Sequence, residues 1–157
     1  MRLTTRTNLA MRTLMYCAIN PDRIVRKHEI ASSCNASENH LAQVIHMLAQ
    51  KGYLRTVRGR AGGLKLARPP VEINLGEIFD DFESCLPFAE CFGADCHTGA
   101  ESGACPMAGC CTLRGVLAEA MAAFHARLRQ TTVADLVAGT DPLAGTLLPA
   151  EDLLQVA

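Results

Sequence analysis

The sequence predicts a mainly α-helical fold carrying one small β-hairpin, and three observations predict it. Apolar residues recur at spacings of three and four through much of residues 5–48 and again over residues 113–128. Two short strand-like segments, 53–58 and 64–67, flank the run Gly59-Arg-Ala-Gly-Gly63, which is rich in residues that tolerate positive φ. Helix-capping residues stand where the periodic segments begin and end. With 157 residues, 49% of them hydrophobic, the chain suits one compact domain or a small domain with an appended element.

The first helix starts at Thr4 or Thr5 and runs to about Asn20, with Met11, Leu14, Met15 and Ala18 on its apolar side and Asn20-Pro-Asp22 ending it. Arg2, Arg6 and Arg12 lie along or beside it, within reach of phosphates or on a solvated face. A short amphipathic segment, Lys27–Ser33, leads through a turn at Cys34-Asn-Ala36 into a second helix, N-capped by Ser37 with Glu38 in its first turn. In that helix Leu41, Val44, Ile45 and Leu48 form the buried stripe. Asn39, Gln43, His46 and Gln50 then point outward, with His40 on the flank, and Lys51-Gly52 stops the helix. The outer face is polar yet nearly uncharged, the chemistry that reads base edges in a major groove.

The hairpin follows directly, with Arg58, Gly59 and Arg60 at its tip. Two helices joined by a tight turn, then a basic glycine-rich hairpin, is the order of a winged helix-turn-helix. After Pro69-Pro70, Asn74 is placed to cap a helix bearing Leu75, Ile78, Phe79 and Phe82, with Glu77 completing a capping-box-like pair. From Cys111 or Thr112 a long helix carries Leu113, Val116, Leu117, Ala120, Phe124 and Leu128 on one stripe, and a helix of that length needs a partner. A short helix from Thr132 to Val137 ends at Gly139. The chain thus divides into a winged helix-turn-helix over 1–83, a cysteine-rich loop over 84–111, the long and short return helices over 112–139, and an unassigned tail over 140–157.

Charge is divided along the chain. Residues 1–68 hold twelve Lys/Arg against three Asp/Glu, a balance of +9, and residues 69–157 hold three against thirteen, a balance of −10. The first half therefore suits a polyanion such as double-stranded DNA, and the second suits solubility or subunit pairing. No apolar run approaches eighteen residues, and Arg12 interrupts the N-terminal one, so a cytoplasmic protein without membrane contact is expected.

Five of the eight cysteines, Cys91, Cys96, Cys105, Cys110 and Cys111, fall within twenty-one residues. Disulfides are rare in the cytoplasm, so such crowding indicates thiolates converging on metal, either an iron-sulfur cluster or structural zinc. The pairs Cys91-x4-Cys96 and Cys105-x4-Cys110 fit the zinc alternative. Cys17, Cys34 and Cys85 are assigned to packing. No acid-base or nucleophile constellation accompanies the cysteines, which argues against an enzyme.

The order of parts resembles the iron-sulfur winged-helix repressors, the family that includes IscR, RirA and NsrR. The motifs carrying the resemblance are Met1-Arg-Leu-Thr4, Ser37-Glu-Asn-His40, Val57-Arg-Gly-Arg-Ala-Gly-Gly63 and Thr132-Val-Ala-Asp-Leu136. Glu90-Cys-Phe92, Cys105-Pro-Met107 and Cys111-Thr-Leu-Arg114 look most like the nitric-oxide-sensing NsrR branch. The resemblance implies a homodimer on a palindromic operator, with Ser37, Asn39, His40, Gln43, Arg58, Gly59 and Arg60 meeting DNA. It makes the long helix, from Leu113 to Leu128, the dimerisation helix. It also implies an iron-sulfur cluster, 4Fe-4S in preference to 2Fe-2S, on Cys91, Cys105 and Cys111. Asn8 stands where relatives often carry an aspartate as fourth ligand, so the fourth bond falls to Asn8 or Cys96, with His97 and Cys110 as further donors. The implied function is a repressor in which nitric oxide or a related redox signal damages the cluster and lowers operator affinity. The alternatives are an iron or iron-sulfur status regulator of the same fold, or a zinc-stabilised DNA-binding protein.

Overall fold

Residues 3–59, 61–83 and 110–139 are described by the computed structural model, and their element order follows from local capping. Helix α1 spans Thr5–Ile19, with Thr4 accepting the amide of Thr7. Helix α2 spans Lys27–Ser33 and α3 spans Glu38–Gln50. Ser37 caps α3 by accepting the amide of His40 at 3.2 Å, and Gly52, at φ +76°, turns the chain out of it. Asn35, at φ 49°, makes the left-handed turn between the two helices.

The hairpin pairs β1, Leu54–Val57, with β2, Gly63–Leu66, in antiparallel register from Leu54 opposite Leu66 to Val57 opposite Gly63. The first strand is one residue shorter at each end than the expected segment, and the second keeps the expected length but starts one residue earlier, so Gly63 belongs to a strand rather than to the turn. Beyond the hairpin, Val25 in the α1–α2 connection exchanges two backbone hydrogen bonds with Leu64, at 3.0 and 2.8 Å. This bridge ties the wing base to the helices, and nothing periodic in the sequence announces it. Gly62 closes the wing turn by donating to the Gly59 carbonyl at 3.0 Å, and a Cβ there would overlap the Val57 carbonyl oxygen, so only glycine fits.

A turn of 3-10 helix, Pro70–Glu72, precedes α4, Leu75–Phe82. The expected stripe is buried in full: Leu75, Ile78, Phe79 and Phe82. The expected cap is half correct. Asn74 accepts the amide of Gly76 at 2.8 Å, but Glu77 does not complete a box, because its carboxylate faces Arg68 at 3.6 Å instead.

Helix α5, Thr112–Arg129, begins at Cys111, and α6, Val133–Val137, begins at a capping box of Thr132 and Asp135. The C-terminal end of α5 is sewn to the start of α4. Asn74 Nδ2 donates to the Arg129 carbonyl at 2.5 Å, the Leu75 amide to the Thr131 carbonyl at 2.9 Å, and the Val133 amide to the Ile73 carbonyl at 2.9 Å. Phe124 and His125 each meet Phe79 edge-on with ring centroids 5.3 Å apart, and Arg129 reaches Asp80 at 3.1 Å. The core is therefore common to both halves: Leu14, Tyr16, Ile30, Leu41, Val44, Leu48, Ile73 and Ile78 are fully buried, and so is Val133 of α6, which packs on α1. Buried Thr13 is satisfied by donating to the Leu9 carbonyl at 2.7 Å. Among the described residues no helix is long and apolar enough to cross a membrane.

Candidate nucleic-acid interface

Helix α3 is positioned by its apolar stripe, since Leu41, Val44, Ile45 and Leu48 are all buried against the core. That placement leaves Glu38, Asn39, Ala42, Gln43, His46 and Gln50 exposed and His40 half-buried. The one acid on this face, Glu38, pairs with Lys27 of α2 at 3.0 Å, which trims the negative charge presented outward. Amide and imidazole groups remain, donors and acceptors without net charge.

Arg6 of α1 shares a shallow, largely apolar depression with Ala42, Gln43, His46 and Met47. The fold therefore sets a cation beside the exposed polar face of α3. Sequence reasoning left Arg6 between phosphate contact and solvation, because periodicity within α1 carries no information about a neighbour on α3.

The N-terminal cations fall into two groups. Arg23 is engaged with Glu29, Lys27 with Glu38, Lys51 with Asp81, and Arg68 with Glu77, while Lys65 donates to the carbonyls of Pro21 and Asp22 at 3.3 Å. No carboxylate among the described residues pairs with Arg6, Arg12, Arg55 or Arg58. Free guanidinium groups suit phosphate, which neutralises them on binding. Arg58 and Gly59 are exposed on the wing, with Gly59 at φ +114°, while Arg60 lies outside the described residues.

The cysteines divide by burial. Cys17 is 2% exposed, and burial pushes its thiol up to about 12. Cys34 is also in the core, where burial raises its thiol and Arg12 offsets only part of the effect. Both stay protonated at neutral pH, unlike a metal-bound thiolate. Cys110 is exposed, and half-exposed Cys111 caps no backbone group at the start of α5, where the helix dipole is positive. These two thiols suit a cluster or zinc. Cys91, Cys96, His97 and Cys105 lie outside the described residues, and among the described residues no three His, Cys, Asp or Glu side chains converge on one point. Asn8 is exposed on α1 and shares an open cleft with Arg12, Cys34, Ser37 and His40, beside the start of α3.

The comparisons point the same way as this face. Residues 3–139 match the Rrf2 family, described as an iron-dependent transcriptional regulator. Two proteins named HTH-type transcriptional regulator NsrR are similar: that of Shouchella clausii is 38% identical over 94% of this chain and 95% of its own length, and that of Bacillus subtilis is 37% identical over 87% and 90%. Among solved structures, IscR of T. potens aligns at a TM-score of 0.69, with 22% identity over 91% of this chain and 90% of that one. CymR, the global cysteine regulator of B. subtilis, aligns at 0.70, with 23% identity over 90% and 99%.

Proposed function

Because the chain belongs to the Rrf2 family of transcriptional regulators, we propose that it is a DNA-binding repressor whose iron-sulfur cluster senses nitric oxide or a related redox signal. The observation that carries the DNA-binding part is the exposed face of α3, polar, with its one acid paired to Lys27, and flanked by arginines that no carboxylate among the described residues pairs. The relatives named NsrR support the sensing part, and so do the crowded cysteines. The family description as iron-dependent keeps iron or iron-sulfur status as the second reading of the signal.

In this reading Cys91, Cys105 and Cys111 hold the cluster, with Asn8 or Cys96 as fourth ligand. When bound, a 4Fe-4S cluster supplies iron that reacts with nitric oxide. Cys111 connects the centre to the fold, because it begins α5 and the far end of α5 is fixed to α4. A fourth bond at Asn8 would add a second connection, since Asn8 shares its cleft with Ser37 and His40. Releasing the Asn8 bond changes a restraint on α1, which packs on the reading helix, and releasing the Cys111 bond changes one on α5, which reaches that helix through α4, a coupling in which two states of one protein differ in operator affinity. The protein acts as a cytoplasmic homodimer through Leu113, Val116, Leu117, Ala120, Phe124 and Leu128, on a palindrome whose half-sites lie about one or two helical turns apart.

Salt titrations separate reading from holding. Gln43→Ala is expected to cost about 1 to 3 kcal/mol on the palindrome selected by the wild type and little on scrambled duplex. Arg60→Ala is expected to weaken both and to reduce the slope of log K against log salt by about one unit, whereas Arg58→Ala, nearer the strand, is expected to remove a preference for minor-groove width. Equal affinity of all variants for both duplexes, independent of salt, would reject the interface.

A further inference from the structure

On the reading that α3 and the wing bind DNA, we infer that Asp81 is a positioning residue for that binding: its two carboxylate oxygens hold both sides of the turn joining recognition helix to wing. Lys51, the C-cap of α3, donates to Asp81 Oδ1 at 2.6 Å, and the hydroxyl of Tyr53, beside β1, donates to Oδ2 at 2.7 Å. Gly52, between them, is at φ +76°, so the turn is a short hinge with its two ends in one grip. Tyr53 is 2% exposed, and its ring is covered on one side by the Arg68 guanidinium at 4.9 Å. Arg68 comes from the end of the hairpin and also faces Glu77 of α4 at 3.6 Å. Helix α4 thus takes hold of the reading helix, the first strand and the exit of the second strand through two carboxylates.

The geometry makes this a device for alignment rather than for stability. Lys51 is 48% exposed and Asp81 28%, and ion pairs so wetted contribute little to folding. Their directional effect is different in kind. A helix in the major groove and a wing on the flanking backbone bind with full affinity only when both reach their sites from one rigid frame. A loosened turn lets each contact form alone and raises the entropy lost when both form. Recognition of the specific site should suffer, whereas non-specific contact, which needs no fixed angle, should not.

The test compares Asp81→Ala, Asp81→Asn, Lys51→Gln and the Asn/Gln double variant of the full chain. Each is titrated against the palindrome selected from a random duplex library by the wild type, and against a scrambled duplex at the same salt. Asp81→Ala is expected to lower operator affinity about tenfold while leaving scrambled-duplex affinity within about twofold. Asp81→Asn keeps an acceptor for Tyr53 and is expected to lose about threefold, Lys51→Gln the same, and the double variant no more than either single. Thermal midpoints of the Asn and Gln variants should stay near wild type. Folded variants with an unchanged ratio of operator to scrambled affinity overturn the positioning role, as does parallel loss on both duplexes. If Asp81→Ala fails to fold, the Asn/Gln cycle decides alone. A wild type that selects no duplex overturns the DNA-binding reading itself, and this inference with it.

Discussion

Cys105→Ala and Cys111→Ala proteins, purified without oxygen, are expected to be colourless and to lose nearly all iron and sulfide, whereas Cys17→Ala and Cys34→Ala proteins keep the broad brown absorption of the wild type. The contrast follows from what a thiolate ligand requires. Cys17 and Cys34 are in the core, where burial holds both thiols in the protonated form. Moving either ligand role there would require a charge in an apolar interior, at a cost of several kcal/mol. Cys111 is half-exposed at the first turn of an eighteen-residue helix, with no hydrogen bond to a cap position to give up. Removing one thiolate of three leaves too few ligands to hold a cluster against hydrolysis and exchange. Iron and sulfide analysis of the four variants decides. Full occupancy in Cys105→Ala would reject the ligand set, and a colourless wild type containing zinc would return the protein to the zinc-stabilised reading.

Val116→Glu is expected to convert a micromolar dimer into a monomer and to abolish operator binding in the same step. Leu113 and Val116 are each 62% exposed on α5, and the helix has no fully buried residue. Toward its C-terminal end the same stripe is already engaged within the chain: Phe124 lies against Phe79, and Leu128 packs on the core. Val116 is the cleaner place to cut, because at 62% exposure it is far less engaged within the protomer than Phe124 or Leu128. Burying such side chains against a two-fold mate stabilises by about 1.5 to 3 kcal/mol each, and an unpaired carboxylate in the same place reverses the sign. Two half-sites held by one dimer gain about 100- to 10,000-fold over one, so loss of pairing should remove most operator affinity. Light scattering and titration of one preparation test it together. A Val116→Glu dimer that still binds would place the interface elsewhere, and a monomer that still binds would reject paired reading.

The parts of the fold legible in the sequence were those decided within a few residues. Ser37 was legible as a cap and Thr4 and Thr132 as helix starts, and in each the side-chain oxygen meets the amide three positions on. The stripes of α3 and α4 were legible for the same reason, as period and burial coincide. What escaped depends on neighbours distant in sequence. Glu77 faces Arg68 rather than its own cap, Val25 pairs with Leu64, and the α5 stripe divides between the chain's own core and open surface. The interface behaved likewise. The outward set on α3 followed from helical geometry alone, whereas Arg6 beside Gln43 and Asp81 beneath the wing required tertiary structure.

The seam between α4 and the end of α5 has a consequence for how such proteins can be recombined. Asn74 uses its amide oxygen to start α4 and its amide nitrogen to finish α5, and Val133, fully buried, completes the core that α1 and α4 begin. A chimera that exchanged only residues 1–83 would give its new reader a foreign plug in that core and a foreign partner for Asn74. Residues 124–137 would have to travel with the reader, because Phe124 and His125 also meet Phe79, leaving the exposed first turns of α5 as the described portion that can be exchanged. The unit of inheritance for DNA binding is thus interrupted in sequence, with the cysteine-rich segment between its two pieces.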